Sequence, residues 1–590
     1  MTSKMSAPPG FVSVTSFTLT KRNNEACIEN DIEAEPNQAS FRIPDFEKLQ
    51  KSLKQRPWII HDQVLNKKPD KIHQNTSLEN TLPIGVIRGC SSCHNCQKVT
   101  ASWRPEDSCK PEIQYSILFQ PTEDEFKDVY QYIAKIRPKA EEHGICRIIP
   151  PDSWKPPSLI NGNKWESPRF STHVQQIDEL KHLHSKRKLN QIIEQPEYKK
   201  TENSDGFEFE FERGPEFTLR TFKAYAQHFK SQYFKKQDIF TGFGIPPWEN
   251  VEGEYWRIIQ NPTEQIQILS GHNLDTKVIG SGFPLLLYND DGDDSEYSKS
   301  PWNLNTTPNL PGSLLAFDYD NSALSTPRLD IGMCFSSICW KVEEHNLYTL
   351  SYMHQGASRI WYGIPSKYNQ KYKSLINKTF PEISKTPQLF HKLVAQLSPS
   401  VLMSEGIPVY SCVQHPKQFV VVFPGAFYAG LDTGFSVSEK VNLAPADWLP
   451  YGQLAVETYS ELCRRTLISF DKMLIEGARY AIRTQMEMDG WFTRALKCLV
   501  KRETFKRDLL CNTSQSRMME EGFSSLVKRE CIVCFSDLYL SAASCTCSPD
   551  KCSCLQHSKQ LCTCPWSSKL FQFRYSIPEL NLIIEALQGK

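Results

Sequence analysis

Seven cysteines and one histidine near the C-terminal end fall into four close pairs: Cys531-x2-Cys534, Cys545-x-Cys547, Cys554-x2-His557 and Cys562-x-Cys564. Thiolate sulfur and imidazole nitrogen are the groups that hold zinc in closed tetrahedral sites, and eight of them suffice for two ions with no open position for a reacting water. The spacing therefore predicts two structural zinc ions; Cys552 is an extra thiol outside the pattern. Zinc affinity is largely folding free energy in such small modules, so this segment should not fold without metal. Four more thiols, Cys90, Cys93, Cys96 and Cys109, lie far upstream with His94 as an alternative ligand. They read either as a further zinc site or as a tether of free cysteines.

Composition sets the frame for those groups. The chain has 590 residues and 20 cysteines, eight of which crowd into residues 531–564. That length predicts roughly three to five domains. Crowded cysteines in a large chain read as zinc rather than disulfides, which implies a reducing compartment, cytosolic or nuclear. The opening stretch Met1–Pro9 lacks the apolar core of a signal peptide, and no apolar run approaches the length of a membrane span. A net charge of +1 gives no global field to attract nucleic acid. A local contact remains open through the basic cluster 181–188, Lys181-His-Leu-His-Ser-Lys186-Arg187-Lys188, which reads as a nuclear-import signal, a phosphate-contacting patch or a solvated helix end.

Six stretches follow from pattern. Residues 1–114 are polar and read as largely disordered. In 115–160, Thr122 with Glu125 forms a capping box that opens a helix through Tyr130, Tyr132, Ile133 and Ile136. A short strand after Gly144 and a proline-stiffened exit follow. Residues 161–235 form a linker with the basic cluster, an acidic-aromatic run at Phe207–Phe211, and an amphipathic helix from Gly214 whose first turn holds Pro215 and Glu216. In 236–450, short β-branched and aromatic strands such as Phe419–Phe423 and Ile360–Ile364 suit an antiparallel barrel. The acidic tract Asp290–Glu296 interrupts them as a surface loop. Residues 451–527 read helical, with Leu454, Val456, Tyr459, Leu462, Leu474, Ala478 and Ile482 on one stripe. Residues 528–587 hold the cysteine pairs.

Two of these stretches carry a resemblance. Pro121-Thr-Glu-x-Glu-Phe126 with Gly144-Ile-Cys-Arg-Ile-x-Pro-Pro-x-Ser-Trp154 closely resembles the JmjN module, and Phe335-Ser-Ser-Ile-Cys-Trp-Lys341-Val-Glu343 resembles the metal-binding strand of the JmjC histone demethylases. Glu252-Gly-Glu-Tyr-Trp256, Gly280-Ser-Gly-Phe-Pro284 and Trp302-Asn-Leu-Asn305 match further landmarks, and the cysteine pairs resemble the C5HC2 module of demethylases acting on lysine-4 of histone H3. The order JmjN, JmjC, C5HC2 with a short linker is that of the plant-type family. The resemblance implies a mixed α+β fold: a JmjC double-stranded β-helix (cupin-like jelly roll) with JmjN, a helical segment and a small C-terminal zinc module. It also implies that Cys531, Cys534, Cys554 and His557 hold one zinc, and Cys545, Cys547, Cys562 and Cys564 the other.

In that family, iron is held by a His-x-Asp/Glu strand and a later His. Here the positions are Lys341, Glu343 and Tyr428, so two imidazoles are missing. An ammonium offers no lone pair and a neutral phenol is a poor ligand. Residues 341 and 343, two apart on a strand, share a face, so Lys341 is expected to pair with Glu343 with the Tyr428 hydroxyl as third partner. The 2-oxoglutarate positions depart as well. Arg359 replaces the lysine that grips the distal carboxylate, and Asp330 replaces a tyrosine, adding a charge that repels a dianion. Ile338 replaces phenylalanine, while Ser351 and Asp432 replace asparagines. Fe(II) and 2-oxoglutarate are therefore expected not to bind. His345, on the same strand face as Glu343, and His354 offer rescue ligands in principle, with structural roles as the plainer reading; Trp340, Trp361 and Tyr362 read as core aromatics.

The resemblance implies residence in the nucleus and association with the histone H3 tail, chromatin and other chromatin regulators. The departures imply a catalytically inactive homologue that acts as a scaffold or transcriptional regulator. The rival expectation is an active Fe(II)/2-oxoglutarate-dependent H3 lysine-4 demethylase with an altered metal site.

Overall fold

The computed structural model describes residues 103–589 apart from 158–159, 161–164, 166, 182–210, 235–245, 264–265, 286–293, 318–321, 386, 393, 486–489, 509, 511–514, 521–522 and 524–529, together with two paired strands, Val86–Arg88 and Gln97–Val99. Cys90, Cys93, Cys96, His94, most of the basic cluster and most of the acidic-aromatic run lie outside the described residues.

Eight strands between Arg328 and Leu443 form two facing antiparallel sheets. One orders Ser337–Lys341, Phe427–Asp432, Arg359–Ile364 and Tyr410–Gln414; the other orders Phe419–Val422, Tyr348–Gly356, Ser436–Leu443 and Arg328–Gly332. Apart from Tyr410–Gln414, which pairs with its predecessor, each strand enters the sheet opposite the one before it, the winding of a jelly roll. Alternation along each strand divides the side chains between two faces. Phe427, Ala429 and Leu431 join an apolar cluster with Phe222, Phe229 and Trp256 outside the first sheet. Leu350, Phe419 and Val441 join Ile133, Trp302 and Leu474 outside the second. Between the sheets lies a smaller cluster of Trp361, Cys412, Val420, Val422 and Tyr428.

Several local expectations change in the structure. Thr122 and Glu125 do exchange backbone and side-chain hydrogen bonds, but they open a short 3-10 turn, Glu125–Lys127. The helix itself, Val129–Ala140, is capped by Asp128, whose Oδ1 accepts from the amides of Tyr130 and Gln131. Strand Ile145–Ile148 extends the second sheet beside Phe419–Val422. Gly144 stands before it with φ +75, and a Cβ there would meet the Ile364 backbone at 3.0 Å.

The stretch 161–235 is no mere linker. Arg169–Gln176 and Glu212–Thr218 pair with each other, and the former continues through Gln267–Asp275 onto Arg328–Gly332. Pro215 and Glu216 therefore lie in a strand, and the helix begins later, at Leu219–Tyr233, capped by Thr218 with Thr221. Asp294–Lys299 is helical, which shortens the acidic loop from its C-terminal side.

The segment after the barrel forms helices Leu449–Glu461, Phe470–Thr484 and Gly490–Asp508. Tyr459, Leu474 and Ala478 of the expected stripe are buried, but Leu454 and Ile482 are exposed, while Gly452 and Ala455 face inward. A Cβ at Gly452 would come 2.4 Å from the Trp448 ring and 2.8 Å from that of Phe470, which opens the next helix, so only glycine fits this close approach. Beyond it, Ser541–Cys545 and Lys569–Phe573 pair antiparallel, with Gln515–Met518 parallel to the latter.

Candidate functional site

The strand Ser337–Lys341 stops at Lys341, whose register partner on the neighbouring strand is Tyr428. Glu343 lies beyond that strand, in extended backbone that leads into a short 3-10 turn. Its carboxylate nevertheless points at the barrel interior: Oε2 accepts from Tyr428 Oη at 2.6 Å and from Thr349 Oγ1 at 2.9 Å. The Lys341 ammonium stands 5.7 Å from the Tyr428 ring centroid. Burial alone would raise the Glu343 carboxyl, but the charges of Lys341 and Lys440 and the two hydroxyl donors hold it below the usual range. Tyr428 is pushed the other way by burial and by Glu343, so it remains a neutral phenol.

This donor set does not fit Fe(II). It offers a single carboxylate, whose Oε2 already accepts from two hydroxyls, beside an ammonium and a protonated phenol, where two imidazoles are required. His345 does not repair it. The backbone turns at His345 with φ 51 and ψ 22, so the residue leaves the strand face it was expected to share with Glu343. Its ring accepts the Leu467 amide at Nε2, 2.9 Å away, and its own amide donates to Tyr459 Oη at 3.0 Å. His354 is bound to Glu439, Nε2 to Oε2 at 3.0 Å, and packs on Phe283.

Further along the same interior, register places Asp432 opposite Arg359 and Ser438 opposite Asp330. The Arg359 guanidinium grips Asp432 in a fork, Nε to Oδ1 at 2.8 Å and Nη2 to Oδ2 at 3.1 Å, and donates to Ser438 Oγ at 2.9 Å. Space for that carboxylate comes from Gly332, where a Cβ would lie 2.0 Å from Asp432 Oδ2. Asp330 is not the bare repelling charge expected from sequence. Lys440 Nζ stands 3.2 Å from it, His272 Nδ1 3.4 Å, and the Asn273 amide donates at 2.8 Å. Burial would raise its carboxyl, yet Lys440, His272 and Arg359 together hold it well below the usual range. Ile338 is half-buried beside Trp361 and Tyr428, and Ser351 is buried with an Oγ that has no partner among the described residues.

The cationic group that would hold a dicarboxylate's far end is thus already closed on a carboxylate of the chain itself, and the two residues share the barrel interior with Asp330. The residues do not fit 2-oxoglutarate. Lys440, Ser438 and His272 escaped sequence reading; Ser438 and Lys440 alternate on one buried strand, a polar i, i+2 pattern that signals an interior network.

The cysteine pairs meet as two tetrads. Cys531, Cys534, Cys554 and His557 form one, and Cys545, Cys547, Cys562 and Cys564 the other; within each, the ligand atoms all lie within 4.8 Å of one another. Cys554 Sγ stands 3.2 Å and Cys531 Sγ 3.6 Å from His557 Nδ1. Ligands about 2.3 Å from a tetrahedral zinc lie about 4 Å apart, which the first set's separations match, and both sets offer the four soft donors that the ion takes. The first tetrad is largely buried beside Leu538 and Ala542, whereas Cys547 is exposed. Buried Lys569 lies beside the second, its ammonium donating to the carbonyls of Ser558 at 2.7 Å and Cys562 at 3.1 Å. Cys552 packs against the first tetrad without belonging to it. Cys109 is half-buried, with its thiol 3.4 Å from the Asp107 carbonyl.

Comparison with known families agrees with these units. The JmjC domain, described as a hydroxylase, matches residues 328–443; the jmjN domain matches 118–150; the C5HC2 zinc finger matches 531–583. The Arabidopsis thaliana protein JMJ16 is 42% identical over 99% of this chain and 54% of its own length. "Lysine-specific demethylase JMJ703" of Oryza sativa subsp. japonica is 41% identical over 99% of this chain and 52% of its own. "Probable inactive lysine-specific demethylase JMJ19" of Arabidopsis thaliana is 36% identical over 99% of this chain and 83% of its own. The chain spans about half the length of the first two relatives. Barrel winding, domain order and sequence likeness agree: the chain belongs to the jumonji family of lysine-specific demethylases, with JmjN, JmjC and C5HC2 units in that order.

Proposed function

We propose that this chain is a catalytically inactive jumonji protein that works in the nucleus as a chromatin-bound scaffold or transcriptional regulator, with the histone H3 tail and other chromatin regulators as its partners. Family membership supports the chromatin assignment, since relatives are named as lysine-specific demethylases, one of them as a "probable inactive" one. Among the described residues, no helix is long and apolar enough to cross a membrane. Two zinc ions, held by the tetrads above, have a structural role.

The loss of turnover rests on one observation. Lys341 and Tyr428 occupy the places of the two imidazoles, and the one carboxylate, Glu343, has an Oε2 that accepts from the Tyr428 and Thr349 hydroxyls. The orientation of His345 gives no support to the rival reading of an active enzyme using Glu343 with His345.

The test is mass spectrometry of a trimethylated H3 lysine-4 peptide incubated with the protein, Fe(II), ascorbate and 2-oxoglutarate. No demethylated product is the expected result. Product formation that Glu343→Ala abolishes would overturn the reading.

A further inference from the structure

On the far side of the first sheet from Glu343 and Arg359 lies a cavity of about 440 Å³, within the range of small-ligand sites. Strand alternation sets it apart: Arg359 and Trp361 face the barrel interior, whereas Ile360 lines this cavity together with Val413. Glu112, Tyr115, Trp248 and Glu252 supply its other functional groups. Glu252 is only 4% exposed, and Tyr115 at the mouth is 58% exposed.

Glu252 is held from one side. Its Oε1 accepts from Tyr362 Oη at 2.7 Å, and that hydroxyl accepts from Trp256 Nε1 at 2.9 Å. The relay fixes the carboxyl group and leaves Oε2 without a hydrogen bond among the described residues. Burial raises the Glu252 carboxyl, while Tyr362 and the charge of Lys110 act the other way. An arriving cation would offset the same burial cost. A cation already touches the edge of this cavity: Lys110 Nζ stands 5.0 Å from the centroid of the Trp248 ring. Lys110 is exposed on a flexible stem; its charge acts on Glu252, and Glu112 lines the same cavity.

An anion would be repelled here, and a neutral apolar group in place of Lys110 would leave the buried Glu252 carboxyl with the Tyr362 hydroxyl alone and no countercharge. An ammonium gains from the carboxylate and from the faces of Trp248 and Tyr115. We propose that this cavity binds the ammonium of a lysine side chain, free or methylated, presented on a peptide, and that Lys110 is the internal occupant it displaces. No assigned property of the chain uses these residues, and the proposal does not depend on whether the barrel is catalytic.

Isothermal titration of the full chain with short capped peptides tests this. Peptides carrying lysine or trimethyllysine should bind, and the norleucine peptide, which keeps the stem without the charge, should not. The preference between free and methylated ammonium reports which source the site favours. Glu252→Gln should weaken binding about tenfold, the value of one charge-assisted contact. Because Glu252 is buried, exposed Tyr115→Ala serves as a second variant and should also weaken binding. Lys110→Ala should tighten it. Equal binding of the norleucine peptide, or unchanged affinity in both the Glu252 and Tyr115 variants, would overturn the assignment.

Discussion

Arg359 and Asp432 face one another directly across antiparallel strands, and the guanidinium holds the carboxylate by two nearly parallel hydrogen bonds of 2.8 and 3.1 Å. Both side chains are almost fully buried. On the reading proposed above, the barrel carries its own carboxylate where the resemblance places that of the family's co-substrate. Removing either partner strands the other charge in the interior, at a cost of about 3–5 kcal/mol. Chemical denaturation of Asp432→Ala and Arg359→Met should show losses of that order. The double variant should lose less than their sum, because it leaves no lone charge; full additivity would argue against the pair.

Lys341→His with Tyr428→His restores the family's ligand types around Glu343. Metal analysis should then find iron retained above the parent level. Turnover should stay near zero, because Arg359 is still closed on Asp432 and Asp330 still occupies the co-substrate side. Strong turnover in the double variant would mean that the co-substrate pocket is more open than its ion pairs imply.

Asp330 and Glu343 both have carboxyls held below their ordinary range in the folded protein. A depressed native value means that the unfolded chain binds the proton more readily. The stabilisation is therefore complete above about pH 4 and lost as pH falls through the native values. Asp330→Asn and Glu343→Gln should lower stability at neutral pH and flatten its fall in acid. Denaturation midpoints measured from pH 7 down to pH 3 read both effects.

His345 is a structural residue, tied to Leu467 and Tyr459. His345→Ala leaves the half-buried Leu467 amide without its acceptor and should cost about 1–3 kcal/mol. Iron content should not change. A drop in bound iron in this variant would revive the altered metal site.

Two zinc ions per chain are the expected result of metal analysis on the purified protein. Cys534→Ala and Cys564→Ala should each remove one, since they belong to different tetrads. Loss of both ions from a single substitution would mean that the two sites fold as one unit.

Much of this protein is legible along the chain. The zinc tetrads follow from ligand pairs a few residues apart, which bring soft donors together before any long-range contact forms. The absence of imidazole at positions 341 and 428 follows from residue type alone: no packing converts the ammonium of Lys341 or the phenol of Tyr428 into an imidazole. Strands such as Arg359–Ile364 were readable because β-branched and aromatic runs fit a pleated surface. The short helix-forming runs around Pro215 were misread, because pairing with Arg169–Gln176 outweighs local propensity.

Tertiary structure alone decided what the altered residues do. Sequence marked Asp330 and Asp432 as intruding charges, but their partners, Lys440, His272 and Arg359, come from other strands and meet only through sheet register. Sequence placed His345 beside Glu343 by strand alternation, until a left-handed turn sent its imidazole toward the following helices. Side-chain type fixes which chemistry is available to a residue. Register and backbone direction fix which partner it meets, and those depend on pairing energies summed over the whole barrel.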